Sequence, residues 1–172
     1  MAKRIGKYKV SKKESALSLA DGGTVTGNLV VGADAQLQIT NPVSGSTSAA
    51  TTITKATHGG RITYLGATEG SDLTHLLPTP EVGLTFEFVY SGDGASGNDH
   101  IFDGQESEFL GNIIHNDSNA DDVAVNCNGT DEDVLNFQVP TAFTVKFVGI
   151  STSLWLVSGH AVGNTPPTCT DG

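Results

Sequence analysis

Positive charge is nearly absent from this 172-residue chain once its first 13 positions are passed. Lys3, Arg4, Lys7, Lys9, Lys12 and Lys13 stand before that point, and only Lys55, Arg61 and Lys146 follow it, against all 19 acidic residues. The arm thus carries +6 and the remainder −16, which together give the net −10 of the whole chain. A body this acidic repels nucleic acid phosphates and resists casual self-association. Long apolar runs are missing as well: no window reaches the ~18 residues that a membrane helix needs. The basic start Met1-Ala2-Lys3-Arg4 is followed by no apolar signal run, so the expected place of synthesis and residence is the cytoplasmic side of a host cell until lysis. There are two cysteines, Cys127 and Cys169, far apart and in no metal-binding spacing. Reduced thiols are the expectation, and a disulfide between them stays open on sequence alone.

Charged residues of both signs make up only 16% of the chain, while glycine fills 21 positions, and Thr, Ser and Asn are frequent. That balance suits strands joined by tight turns better than helices. A short helical pattern is confined to Ser11–Leu19, within an arm spanning residues 1–20 that is too short to fold alone. Asp21-Gly22-Gly23 is a turn signal, and the strand-like run Thr24 to Gly32 and the alternating stretch Ala35 to Thr40 follow it. The small polar segment 44–52 reads as a linker, which makes residues 21–60 an extended β segment.

From residue 61 the strand signals are regular. Arg61–Leu65, Thr74–Pro78, Leu84–Tyr90, His100–Phe102, Leu110–His115, Val123–Val125, Val134–Phe137, Phe143–Ile150 and Leu154–Gly159 are separated by turn residues. This spacing predicts an all-β domain over 61–172, an antiparallel sandwich or barrel, preceded by the extended basic arm. Phe86, Phe88 and Trp155 are the core candidates, and the tail Asn164–Gly172, with Pro166-Pro167, is expected to be irregular.

The search for chemistry finds little. His58, His75, His100, His115 and His160 share no ligand spacing and are expected at the surface or in turns. Two acidic clusters, Asp93/Asn98/Asp99/Asp103 and Asp117/Asp121/Asp122, offer calcium-type oxygen ligands, but neither follows the EF-hand pattern, and turn capping is the plainer role. Asn128-Gly129-Thr130 is expected to be a hairpin turn rather than a glycosylation site, and the glycine pairs at 22–23 and 59–60 lack the context of a phosphate loop. No nucleophile elbow or Cys–His arrangement stands out, so no catalytic, cofactor or metal residue is assigned and the chain is expected not to be an enzyme.

The basic arm is the feature that stands out. A disordered tail, a nucleic-acid arm and a docking arm for an acidic protein groove are the three readings, and the acidic body with a single arm aromatic, Tyr8, favours the third. Lys3, Arg4, Lys7, Tyr8, Lys9, Lys12 and Lys13 are then its docking residues.

Four segments carry a family resemblance. Gly27-Asn28-Leu29-Val30-Val31-Gly32-Ala33-Asp34 resembles the Gly-x-Leu-x-Val-x-Gly rungs of phage fibre and virion proteins. Leu76-Leu77-Pro78 with Val82-Gly83-Leu84-Thr85-Phe86-Glu87-Phe88-Val89 resembles a core-strand segment of small phage head proteins, and Leu154–Gly163 resembles the strand that closes them. Met1–Gly22 is similar to the start of structural proteins of marine podovirus-like phages. The resemblance to tailed-bacteriophage virion structural proteins implies a capsid decoration (cement) protein on the outer capsid surface. Its partners would be the major capsid protein and further copies of itself in a symmetric oligomer such as a trimer, with no nucleic acid, membrane or cofactor. A head- or tail-fibre or adaptor protein is the alternative. A fibre should repeat its strand rungs, and the sequence shows one, residues 24–32, which favours decoration.

Overall fold

The computed structural model describes residues 43–44, 51–66, 71–92, 97–117 and 122–172. The arm with its docking residues, the rung at 24–32 and the strand at 35–40 lie outside the described residues.

Among the described residues, twelve strands form two packed sheets, joined by loops that include one helical turn. The elements are β1 (Val43–Ser44), β2 (Thr51–Thr52), α1 (Lys55–His58), β3 (Ile62–Leu65), β4 (Leu73–Leu76), β5 (Thr85–Ser91), β6 (His100–Asp103), β7 (Glu108–Asp117), β8 (Val123–Asn128), β9 (Val134–Phe137), β10 (Ala142–Gly149), β11 (Leu154–Gly163) and β12 (Thr168–Thr170). A seven-stranded sheet runs β1-β3-β5-β10-β11-β7-β8, and a five-stranded sheet runs β12-β9-β6-β4-β2. The all-β expectation holds, as a sandwich. The sandwich reaches upstream of residue 61, because β1 and β2 pair with β3 and β4.

The pairing is mixed rather than purely antiparallel. Successive strands from β1 to β6 alternate between the sheets, and β1-β3-β5 and β2-β4-β6 are each joined in parallel. The first part of the sandwich is therefore wound in three coils. Short turns between neighbouring strands conceal this at the sequence level, since such spacing suits a hairpin equally well. From β7 onward the chain closes the sandwich: β10 and β11 form an antiparallel hairpin, and β11 lies parallel to β7 over ten residues, Leu154↔Glu108 to Gly163↔Asp117. Gly111 permits that parallel contact. Its φ is +138°, and a Cβ there would meet the Val157 carbonyl oxygen at 1.9 Å.

Strand alternation directs one parity of residues inward. All seven phenylalanines, Phe86, Phe88, Phe102, Phe109, Phe137, Phe143 and Phe147, are buried with Trp155, as are Tyr90, Val145, Val157 and Leu135. The rings interlock in tilted and edge-on pairs, such as Phe86–Trp155 at 5.5 Å and Phe102–Phe137 at 5.9 Å, the arrangement favoured by aromatic quadrupoles. Phe86, Phe88 and Trp155 are core residues as expected, each at most 1% exposed.

Two expectations fail at the C-terminus, for one reason. The tail is not wholly irregular: Thr168–Thr170 forms β12 against β9, with Cys169 opposite Leu135. That pairing brings Cys169, on the edge of the five-stranded sheet, beside Cys127 on the edge strand β8 of the other sheet. Their Cα atoms are 5.6 Å apart, and the two form a disulfide instead of staying reduced thiols. The bridge staples one open side of the sandwich. Closing a loop with a sequence separation of 42 is worth about 4 kcal/mol in chain entropy alone.

Candidate interaction face and a buried histidine pair

The outer face of the seven-stranded sheet is the broadest candidate surface. Strand register lines its residues up in rows. One row runs Ile62, Glu87, Lys146, Ser158, Asn112, Asn126, and the next runs Tyr64, Val89, Thr144, His160, Ile114, Ala124. Flanking rows add Val148, Leu156 and Leu110 on one side and Ala142 and Val162 on the other. Tyr64 (53% exposed), Ile62, Ile114 and Leu156 show large apolar surfaces. Two shallow hollows lie side by side along β10 and β11. One, of about 250 Å³, is apolar and walled by Val89, Ala142, Thr144, His160 and Val162. The other, of about 210 Å³, sits over Gly159 between Glu87, Thr144, Lys146 and Ser158.

Charge is sparse across this face. Among the described residues its middle rows carry only Glu87 and Lys146, which are register partners on neighbouring strands. The other described carboxylates lie mainly in loops and at strand ends, where several clip the backbone. Asp99 accepts from the Val139 amide at 3.0 Å and from Asn136 Nδ2 at 2.9 Å. Asp133 accepts from the Gly172 and Glu106 amides at 2.9 and 3.2 Å. Asp103 accepts from the Gln105 amide at 2.7 Å, and Asp122 from Asn116 Nδ2 at 2.7 Å. Of the two acidic clusters, Asp93 and Asp121 lie outside the described residues. Among those described, no three His, Cys, Asp or Glu side chains come together as a metal site. Asn128-Gly129-Thr130 is a turn, with Asn128 Oδ1 accepting from the Thr130 amide at 2.7 Å, but it connects the two sheets rather than a hairpin. Gly59 closes the helical turn α1, and Gly60 (φ +66°) follows it.

The histidines overturn a sequence expectation. Four of the five are buried: His58, His75, His100 and His115, with only His160 exposed. In β4, Leu73 and His75 share the inward parity, which continues to Leu77 just past the strand, and in β6 His100 shares it with Phe102, so both rings are carried into the aromatic core. His75 and His100 stack with centroids 5.4 Å apart, and His75 Nε2 lies 3.1 Å from His100 Nδ1. Phe102 packs on His75 and Tyr90 on His100. One nitrogen must donate and the other accept, which makes the pair a hydrogen bond between neutral rings. The two remaining ring nitrogens, His75 Nδ1 and His100 Nε2, are buried without a hydrogen-bond partner. Burial drives the pKa of His75 down to about 3, helped by repulsion from His100 and His58. Burial likewise lowers His100 to about 4, against the opposing pull of Asp99. His58 is lowered by burial too; its Nδ1 accepts from the Thr54 amide at 3.1 Å when unprotonated, and when protonated it donates to the Thr54 carbonyl at 3.3 Å, which opposes the shift.

The shifted histidines and the surface hollows do not coincide, so no described cleft gathers titratable groups of altered acidity. No family model, curated protein or solved structure matches the chain.

The face was legible in part. Strands β10 and β11 read apolar at both parities near Val148, Leu154 and Leu156, a sign that their outer side has its own use. The histidine pair was legible from parity alone, since Leu73-x-His75-x-Leu77 puts the imidazole among core positions. The disulfide left no local signal.

Proposed function

We propose that this chain is a structural, non-catalytic protein of a phage virion that decorates the outer capsid surface. The observation that carries the reading is the sandwich stapled edge to edge by Cys127–Cys169. A disulfide persists in oxidising surroundings such as a virion surface, and there it keeps a small body folded without ligand or cofactor. A buried aromatic interior and a broad low-charge sheet face add support, since both suit a protein that makes contacts rather than turns over substrate. In this reading the arm residues Lys3, Arg4, Lys7, Tyr8, Lys9, Lys12 and Lys13 dock on the major capsid protein, and many weak attachments sum through multivalency.

A second reading has a specific observation in its favour. The three parallel coils from β1 to β6 are the repeated rungs a fibre or adaptor would show, so the single rung visible in the sequence no longer argues against that role. The two readings separate on particles that lack the protein. Decoration predicts normal assembly with loss of DNA at lower temperature or milder osmotic shock, restored when purified protein is added back. Unchanged particle stability with reduced adsorption to host cells would replace decoration with the fibre role.

A further inference from the structure

The outer face of the seven-stranded sheet has an occupant that its own chemistry identifies. We propose that it packs face to face against the same face of a second copy of this chain. The inference rests on the reading of the chain as an assembly protein and names the surface that assembly uses.

Three observations carry it. First, the middle rows of the face carry a single carboxylate, Glu87, with Lys146 beside it, while the rest of the body is strongly acidic, so two such faces meet with few carboxylates opposing each other. Second, the two charges of its middle rows are of opposite sign and adjacent, Glu87 across from Lys146, and Glu108 lies out at the end of β7. With the two-fold axis passing between them, Glu87 of each copy meets Lys146 of the other, because a two-fold contact repeats every interaction reciprocally. Third, the size is right. Six strands at their usual spacing, over the length of β10, make a face of roughly 700 Å² per copy, close to the ~800 Å² per partner of a standard stable interface. Tyr64, Ile62, Ile114 and Leu156 supply the apolar surface around the charged pair, and the shallow hollow at Val89, Ala142 and Val162 offers a seat for one of the partner's protruding side chains.

Sedimentation velocity of the full-length protein across about 1–100 µM tests this, with three charge variants beside the wild type. The wild type should dimerise. Glu87→Lys leaves two positive charges on each face and Lys146→Glu two negative ones, and each should weaken the dimer at least tenfold. The double variant, E87K with K146E, should return to within about threefold of wild type, because the reciprocal pairs re-form. Both sites are on the solvent side of the sheet, and far-UV circular dichroism of each variant checks that the sandwich is intact. A wild type that stays monomeric throughout the range overturns the proposal, as do single variants that associate like wild type or a double variant that stays as weak as the singles. The assay contains no capsid. A dimer with no effect on particle stability would therefore sink the decoration reading alone, and a monomer that still protects particles would sink this inference alone.

Discussion

The two faces of the seven-stranded sheet are written by the same strands and differ in almost every respect. Inward, β5, β10 and β11 present Phe86, Phe88, Tyr90, Phe143, Val145, Phe147, Trp155 and Val157, each at most 2% exposed. Outward, the residues between them are Glu87, Val89, Thr144, Lys146, Leu156 and Ser158, half-buried or exposed. One parity closes against the second sheet and fixes the fold. The other is free to be chosen for contact with a partner. Because side chains alternate with period two, a one-residue slip would exchange the two sets, so register is specified wherever the aromatic parity is strong.

The difference is open to direct attack. The largest effect should come from Trp155→Ala, which removes a fully buried ring packed on Phe86 and Phe147 and leaves a cavity. A loss of about 3–5 kcal/mol in urea unfolding is expected. A loss below about 1 kcal/mol would mean that the inner face does not hold the fold in the way described.

Acid should come next. His75 and His100 are held at about 3 and about 4, below the 6.5 of an unfolded histidine, so between pH 6.5 and 4 the unfolded chain binds more protons than the folded one. Stability is therefore fully present above pH 6.5 and falls as the pH drops towards 4. The cost is roughly 2 kcal/mol per ring at pH 5 if each stays neutral in the fold. Unfolding midpoints at pH 7, 6 and 5 measure this, and replacing both histidines by Phe should flatten the slope. An equally steep slope in that double variant would assign the pH dependence to other groups.

Opening the disulfide should cost a little less, about 2–4 kcal/mol. Cys127→Ser with Cys169→Ser, compared with wild type in non-reducing buffer, gives the number. If the double variant matches oxidised wild type, the staple between the two sheet edges adds nothing to stability.

How much of this was readable in the sequence depends on the range of the interaction. Period-two alternation located β3 to β11 closely, and β9 matches Val134–Phe137 to the residue, because strand formation and side-chain direction are local properties. Parallel winding was hidden, since pairing partners such as Ile62 with Glu87 or Leu154 with Glu108 are far apart in the chain. The same distance concealed β12 and the disulfide, which exist only because β9 and β8 bring Leu135 and Cys127 to the right edges. The histidines were misjudged by residue type. Imidazole is polar enough to suggest the surface, but two neutral rings can satisfy part of each other's hydrogen bonding in an aromatic core.

The central claim, that the inner parity folds the protein and the outer parity binds, is tested most directly by Leu156→Lys measured in two ways on one sample. Leu156 is exposed between Val148 and Leu110 on the outer face and next to Trp155 in sequence. The account predicts an unfolding free energy within about 0.5 kcal/mol of wild type together with loss of the dimer in sedimentation velocity. Retained dimer, or a stability loss comparable to that of Trp155→Ala, would contradict it.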